Sequence, residues 1–422
     1  MRRMRACTCG RGRARTHHMG LTHGRRGSTD EAASREPVVG DGQCHYMCQC
    51  RITHNYFVRS AGLHFVYSGD DQAFVRRYGR TLEARAGPSL EAVLAEVRAQ
   101  REERLRAPEE ALERARQVKE GYRPLRPEVY CLDVEAFLTE GFREVVATLR
   151  EAMTSRSLGA GAAAVEALKA RGLLSELRTG LWSLEVFSQA FCDLLEAELG
   201  HFASSQLPKS APNSMNRHGA LLAELGFGPG LLDPLISNYV DLLARHLLPL
   251  HSRGGLDSYR AFTVLYEAAA DGDRELALHY DNAEVTLNVN IGGVWEGGQV
   301  AFYGLATHGA EDPAAARDVV LRRGQGVLHA GLDMHRAQPI TSGRRHNLIL
   351  WCRASSVRNE RCPMCFGPPN VVPTNGYFHE GFTVPPCRVC GTDEEVGFGD
   401  GEEEGVSSSP PSAGSDDDDL YS

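Results

Sequence analysis

The stretch Leu278-His279-Tyr280-Asp281-Asn282-Ala283-Glu284-Val285-Thr286-Leu287-Asn288-Val289-Asn290 alternates apolar and polar residues from Val285 onward. That period of two is the mark of a strand with two unlike faces. On both sides of it the chain shows more of the same. Short apolar runs at 259–267, 285–291, 299–303, 326–329 and 347–353 are partly β-branched and bounded by Gly, Asp or Pro. Several short strands separated by turn signals predict an antiparallel sandwich or barrel. The regular helix–strand alternation of a doubly wound sheet is absent from this region.

Within this frame His279 and Asp281 lie two apart, so a strand sets both side chains on one face, as two ligands of one metal require. Such a pair arises readily by chance; here the strand-like run follows at once, then the turns Gly292-Gly293 and Gly297-Gly298. A third ligand must come from elsewhere, and His329 and His335 are both candidates. His335 stands before a turn marked by Pro339 and Gly343, and a returning strand then starts at Arg345 and shares a face with Asn347, Ile349 and Trp351. Counting from His329 instead reaches Pro339, with no cation at the matching offset, so His335 is preferred and His329 reads as a half-buried strand histidine. Two imidazoles and one carboxylate form the facial set of non-heme Fe(II) oxygenases, with open positions opposite. A cation at Arg345 pairs with a substrate carboxylate, which makes 2-oxoglutarate a plausible cosubstrate for an iron held in the mouth of a jelly roll.

The residues carrying this pattern resemble the prolyl-4-hydroxylase-like group of iron- and 2-oxoglutarate-dependent dioxygenases. The resembling phrases are the 279–289 run, Gly297-Gly298, Gly324-Gln325-Gly326-Val327-Leu328-His329, Gly343-Arg344-Arg345-His346-Asn347-Leu348, the 355–365 run and Pro212-Asn213-Ser214-Met215-Asn216. The resemblance implies an α+β chain: a double-stranded β-helix (jelly roll) catalytic domain preceded by a mainly helical N-terminal region. It implies that His279, Asp281 and His335 hold Fe(II), that Arg345 binds 2-oxoglutarate, and that Tyr266 offers its hydroxyl to the cosubstrate. It also implies O2 as a substrate, L-ascorbate as reductant of the iron, and hydroxylation of a peptide or protein side chain coupled to decarboxylation of 2-oxoglutarate to succinate and CO2. Arg344 and His346 depart from the family pattern; Arg344 faces the opposite side of the strand from Arg345 and is expected in solvent.

The remaining chain bounds these expectations. With 422 residues and a formal net charge of −9, the protein has ample chain for a large core and is a poor candidate for nucleic acid. No apolar run is long enough to cross a bilayer, and no h-region follows the basic start, so a soluble intracellular protein is expected. The domains read as a disordered leader (1–40), a mainly helical region (41–204), the jelly-roll oxygenase domain (205–358) and a cysteine-bearing, acidic, largely disordered tail (359–422). Helices are expected over 89–121 with Ser89 as N-cap and a break at Pro108, and over 142–153, 183–199, 221–225 and 231–248. The twelve cysteines lack the spacing of a secreted disulfide framework and read as reduced thiols. Cys44, Cys48 and Cys50 with His45 form one short cluster without a second half, and free thiols are the simpler reading. Cys362, Cys365, Cys387 and Cys390 form a CxxC…CxxC with ribbon-like spacing, a structural Zn(II) candidate weighed against free thiols. A catalytically silent jelly-roll binding protein that keeps the iron site is the rival to an enzyme.

Overall fold

Residues 285–292 are buried without a break, so the strand they form needs a cover on each face. The computed structural model describes residues 45–374, apart from 59, 62, 85–86, 214 and 307–315, together with residue 382. Strands β1 (His45–Cys48), β2 (Tyr56–Val58) and β3 (Leu63–Phe65) precede helices α1 (Asp71–Glu83) and α2 (Leu90–Gly121). Next come α3 (Val134–Phe137), α4 (Glu140–Thr154) and α5 (Ala160–Ala170), the hairpin β4 (Ser175–Arg178) and β5 (Leu181–Glu185), and α6 (Gln189–Ser204). A helical stretch over 228–247 contains π-turns at Gly228–Leu232 and Ile236–Val240. Strands β6 (Ser258–Glu267), β7 (Leu276–His279), β8 (Val285–Gly297), β9 (Val300–Leu305), β10 (Arg317–Val319), β11 (Gln325–Ala330), β12 (Asp333–Ala337) and β13 (Ile340–Arg353) follow. The single helical turn Ser355–Arg358 leads to β14 (Val371–Thr374).

Two antiparallel sheets make the jelly roll of this α+β protein. The larger runs β4-β5-β11-β8-β13-β6 and the smaller β10-β9-β12-β7. Their strand alternation explains the double burial of β8. Val285, Leu287, Val289 and Ile291 join Phe191 and Leu195 of α6 in the largest apolar cluster. Thr286 and Asn288, on the opposite face, line a cavity between the sheets. β13 repeats the pattern: Leu348, Leu350 and Cys352 face the helical layer, while Arg345, Asn347, Ile349 and Trp351 face the cavity. Each such aliphatic side chain removed from water contributes about 1.5–3 kcal/mol, so a one-residue slip would invert both faces at large cost.

Several elements differ from expectation, each for a physical reason. α2 passes through Pro108 as one 32-residue helix capped by Ser89 Oγ on the Ala92 N–H. Glu102, Glu103, Leu105 and Arg106 around it are exposed, so this turn packs on no neighbour that would force the chain to break at Pro108. Residues 183–185 are strand, not helix: β5 pairs with β11, Leu184 opposite Gly326, and Ser188 caps α6 instead. Residues 221–225 are not helical either, because Leu221 bridges Phe262 and the Leu222 N–H donates to Ala261 at the edge of β6. The loss of periodicity after Val357 does not mean loss of order throughout, since β14 pairs with β1 from the other end of the described chain. The expected disorder of 1–40 and of the acidic tail beyond residue 382 falls outside the described residues. Among the described residues no helix is long and apolar enough to cross a membrane.

Candidate active site

β7 and β12 are neighbours in the smaller sheet, with His279 directly opposite His335. A pair so placed brings two imidazoles together without any loop, and their ring centroids are 4.3 Å apart. The chain then leaves β7, and the Asp281 N–H donates to the Gly331 carbonyl at 2.8 Å. That contact aims the carboxylate back at both rings: Asp281 Oδ1 is 3.7 Å from His279 Nε2 and 3.8 Å from His335 Nε2. Together the three groups form a cluster with ligand atoms within 4.8 Å of one another.

Hydrogen bonds behind the cluster settle which atoms are free. His279 Nδ1 donates to the Ala277 carbonyl at 2.8 Å and His335 Nδ1 to the Asp333 carbonyl at 2.7 Å. Each ring therefore keeps its Nε2 lone pair for the cluster. Burial, reinforced by His335, pulls His279 down to about 4, and burial lowers His335 as well, so both are neutral bases near pH 7. Asp281 Oδ2 accepts from Thr286 Oγ1 at 2.7 Å, which leaves Oδ1 toward the imidazoles. Asp333 is itself held by Arg178 of β4 at 2.6 and 2.7 Å. His329 lies on the larger sheet with Nδ1 on the Ala330 carbonyl. Its ring centroid is 5.0 Å from that of His335, outside the three-group cluster.

The cluster opens into a cavity between the two sheets. On its far wall Arg345 is 4 % exposed, and among the described residues no carboxylate pairs with it. Its Nη1 donates to the Gly298 carbonyl and its Nε lacks a partner. Tyr266 sits directly across the strand pair, with its ring 4.6 Å from the guanidinium carbon. Burial raises the Tyr266 phenol, so it stays protonated. Arg344 is exposed on the opposite face, as the alternation requires.

Some wall residues gave no signal as site residues in sequence. Asn288 Oδ1 accepts from Asn347 Nδ2 at 2.7 Å and Asn347 Oδ1 from Asn290 Nδ2 at 3.1 Å, so the Asn288 amide turns its N–H groups to the cavity. The 212–216 segment reads as a loop, yet Asn213 Oδ1 accepts the Met215 and Asn216 N–H groups and folds that loop over the same wall.

An OGFOD2-like domain model matches residues 118–252, which lie before the His279–Asp281 pair. A human protein named 2-oxoglutarate and iron-dependent oxygenase domain-containing protein 2 is 39 % identical over 356 residues, covering 82 % of this chain and 96 % of that protein. A like-named protein of Danio rerio is 36 % identical, covering 80 % and 94 %. Among solved structures, a prolyl-4-hydroxylase of Pseudomonas putida aligns over 50 % of this chain and 98 % of its own, at 15 % identity and TM-score 0.31.

Proposed function

Because this chain belongs to the family of 2-oxoglutarate and iron-dependent oxygenase domain-containing protein 2, we propose that it is a working Fe(II)- and 2-oxoglutarate-dependent dioxygenase. The observation that carries this reading is Arg345. A buried guanidinium without a counter-charge is costly to keep, and this one shares a cavity with two neutral imidazoles and a carboxylate. Two nitrogen donors and one oxygen donor suit Fe(II) and leave one side of the metal open. His279 and His335 would bind through Nε2 and Asp281 through Oδ1, the atoms left free by the Ala277, Asp333 and Thr286 hydrogen bonds. Arg345 would take the far carboxylate of 2-oxoglutarate, with the Tyr266 hydroxyl donating to the same oxygens.

Bound Fe(II), with 2-oxoglutarate and O2, supplies hydroxylation of a substrate coupled to conversion of the cosubstrate to succinate and CO2. The chain's own contribution is orientation and exclusion of water. The Asn288 amide donates toward the cosubstrate, and Phe262, Ile349 and Trp351 close the apolar wall. By family analogy, the substrate is a peptide or protein side chain.

The test is an anaerobic titration of Fe(II)-loaded protein with 2-oxoglutarate, with ascorbate present to keep the iron reduced, read by the visible charge-transfer band of a chelated 2-oxo acid. Wild type is expected to develop the band and His279→Ala to lose it. Arg345→Ala is expected to weaken the cosubstrate on the order of 100-fold, the loss of one buried charge pair. A folded wild type without the band would leave the silent binding protein as the surviving reading.

A further inference from the structure

β1 carries Cys48 alongside Val371 of β14, and the 3-10 turn Gln49–Ile52 that follows swings Cys50 to the same side. From the other end of the chain, Cys362 and Cys365 sit in a tight loop. There the Cys362 N–H donates to Gly367 and the Phe366 N–H to the Cys362 carbonyl, each at 2.9 Å. Phe366 adopts a positive φ of 57° to close this turn. Two half-sites, Cys-x-Cys and Cys-x-x-Cys, thus meet across a separation of 312 residues. Each had looked incomplete or differently paired in sequence. Cys362 and Cys365 face Cys48 and Cys50, while Cys387 and Cys390 lie outside the described residues.

We propose that Cys48, Cys50, Cys362 and Cys365 form a structural Zn(II) site, independent of the oxygenase cavity. The four sulfurs lie within 4.8 Å of one another, and Cys50 Sγ is 3.7 Å from Cys362 Sγ. A tetrahedron with metal–sulfur bonds of about 2.3 Å has edges of about 3.8 Å, whereas a disulfide would need about 2.0 Å. Backbone N–H groups of Met364 and Cys365 donate to Cys362 Sγ, as they do to the sulfurs of tight metal-binding Cys-x-x-Cys turns. Cys48, Cys50 and Cys362 are buried and Cys365 is half-buried, so little water reaches the cluster, as in closed structural sites.

The placement gives the site a task. Tyr280, between His279 and Asp281, packs on Phe366 of the cysteine loop with ring centroids 5.6 Å apart. A closed thiolate site would hold that loop against the backbone joining the two oxygenase residues and pin β1 to β14.

Metal analysis of the full-length protein tests this in a His279→Ala/His335→Ala background, so that the cavity cluster cannot supply the metal. Binding of about one Zn(II) per chain is expected, lost in Cys48→Ser and Cys365→Ser but kept in Cys131→Ser, an exposed cysteine outside the cluster. Should the cysteine variants fail to fold, cobalt exchanged into the same His-substituted protein gives the answer. Intense thiolate-to-cobalt absorption in the near ultraviolet supports the site. Zinc well below one equivalent, zinc unaffected by the Cys48 and Cys365 substitutions, or cobalt without thiolate absorption overturns it.

Discussion

Glu284 and Arg358 bury opposite charges against each other, 5 % and 1 % exposed, with Arg358 Nε 2.9 and 3.1 Å from the two carboxylate oxygens. Glu284 also accepts the Ala354 N–H at 2.9 Å, so the pair ties the end of β13 to the loop that carries Asp281. Arg358→Met leaves that carboxylate buried without its counter-charge, and is expected to cost about 3–5 kcal/mol in a urea unfolding curve. A loss below about 1 kcal/mol would show that the pair is not needed. His346 illustrates the linkage to pH. Burial, with a smaller push from Arg344, holds it down to about 4, against about 6.5 in an unfolded chain. Between those values the unfolded chain binds a proton that the folded chain refuses. Its contribution to stability is therefore present above about pH 6.5 and lost as pH falls toward 4. His346→Gln should flatten the melting temperature against pH across that window; a curve parallel to wild type would rule His346 out as the cause. His279 and Arg345 were legible as candidates because strand period sets their faces, whereas Asp281, expected on the same strand, lies just beyond the end of β7 and is aimed by the Gly331 carbonyl. Asn288 and Arg178 were not legible, because their roles depend on partners distant in sequence.

Gly331, between β11 and β12, shows how an element end serves the cluster. A Cβ there would come within 1.9 Å of the Ala283 carbonyl oxygen, while Gly331 accepts the Asp281 N–H and donates to the Glu284 carbonyl. Gly331→Ala must push the 281–284 loop away. Fe(II) affinity is expected to fall about 10- to 100-fold, the range for damaged outer support of a metal ligand; unchanged affinity would mean that the loop has slack. The strands of 258–353 were readable because their inner and outer faces differ in polarity at every second residue. The 183–185 and 221–225 segments were misread as helix for the same underlying reason. The stripe of Val186, Phe187, Phe191 and Leu195 extended a helix back over 183–185, and Leu221, Leu222 and Leu225 fit a helical pattern locally, while only the edges of β11 and β6 offered the backbone better partners.

The larger sheet takes β4 and β5 from the 41–204 stretch and its remaining four strands from beyond residue 205. One apolar cluster runs from Val118 to Cys352. A 205–358 fragment would bare the edge of β11 and the α6-facing side of β8, and is expected to aggregate or to lack near-ultraviolet circular dichroism. A soluble, rigid fragment would mean that the jelly roll folds without its N-terminal hairpin. The amino-acid sequence alone determined the antiparallel strands and the single face shared by Arg345, Asn347, Ile349 and Trp351, because those follow from a period of two along one strand; Asp281 joins His279 from a loop, through the Gly331 contact. Which histidine stands opposite His279, where helices yield to strands, and how Cys48 and Cys50 meet Cys362 and Cys365 were decided only in three dimensions. Those contacts depend on sheet register and on chain ends brought together across hundreds of residues, and no local pattern encodes that closure.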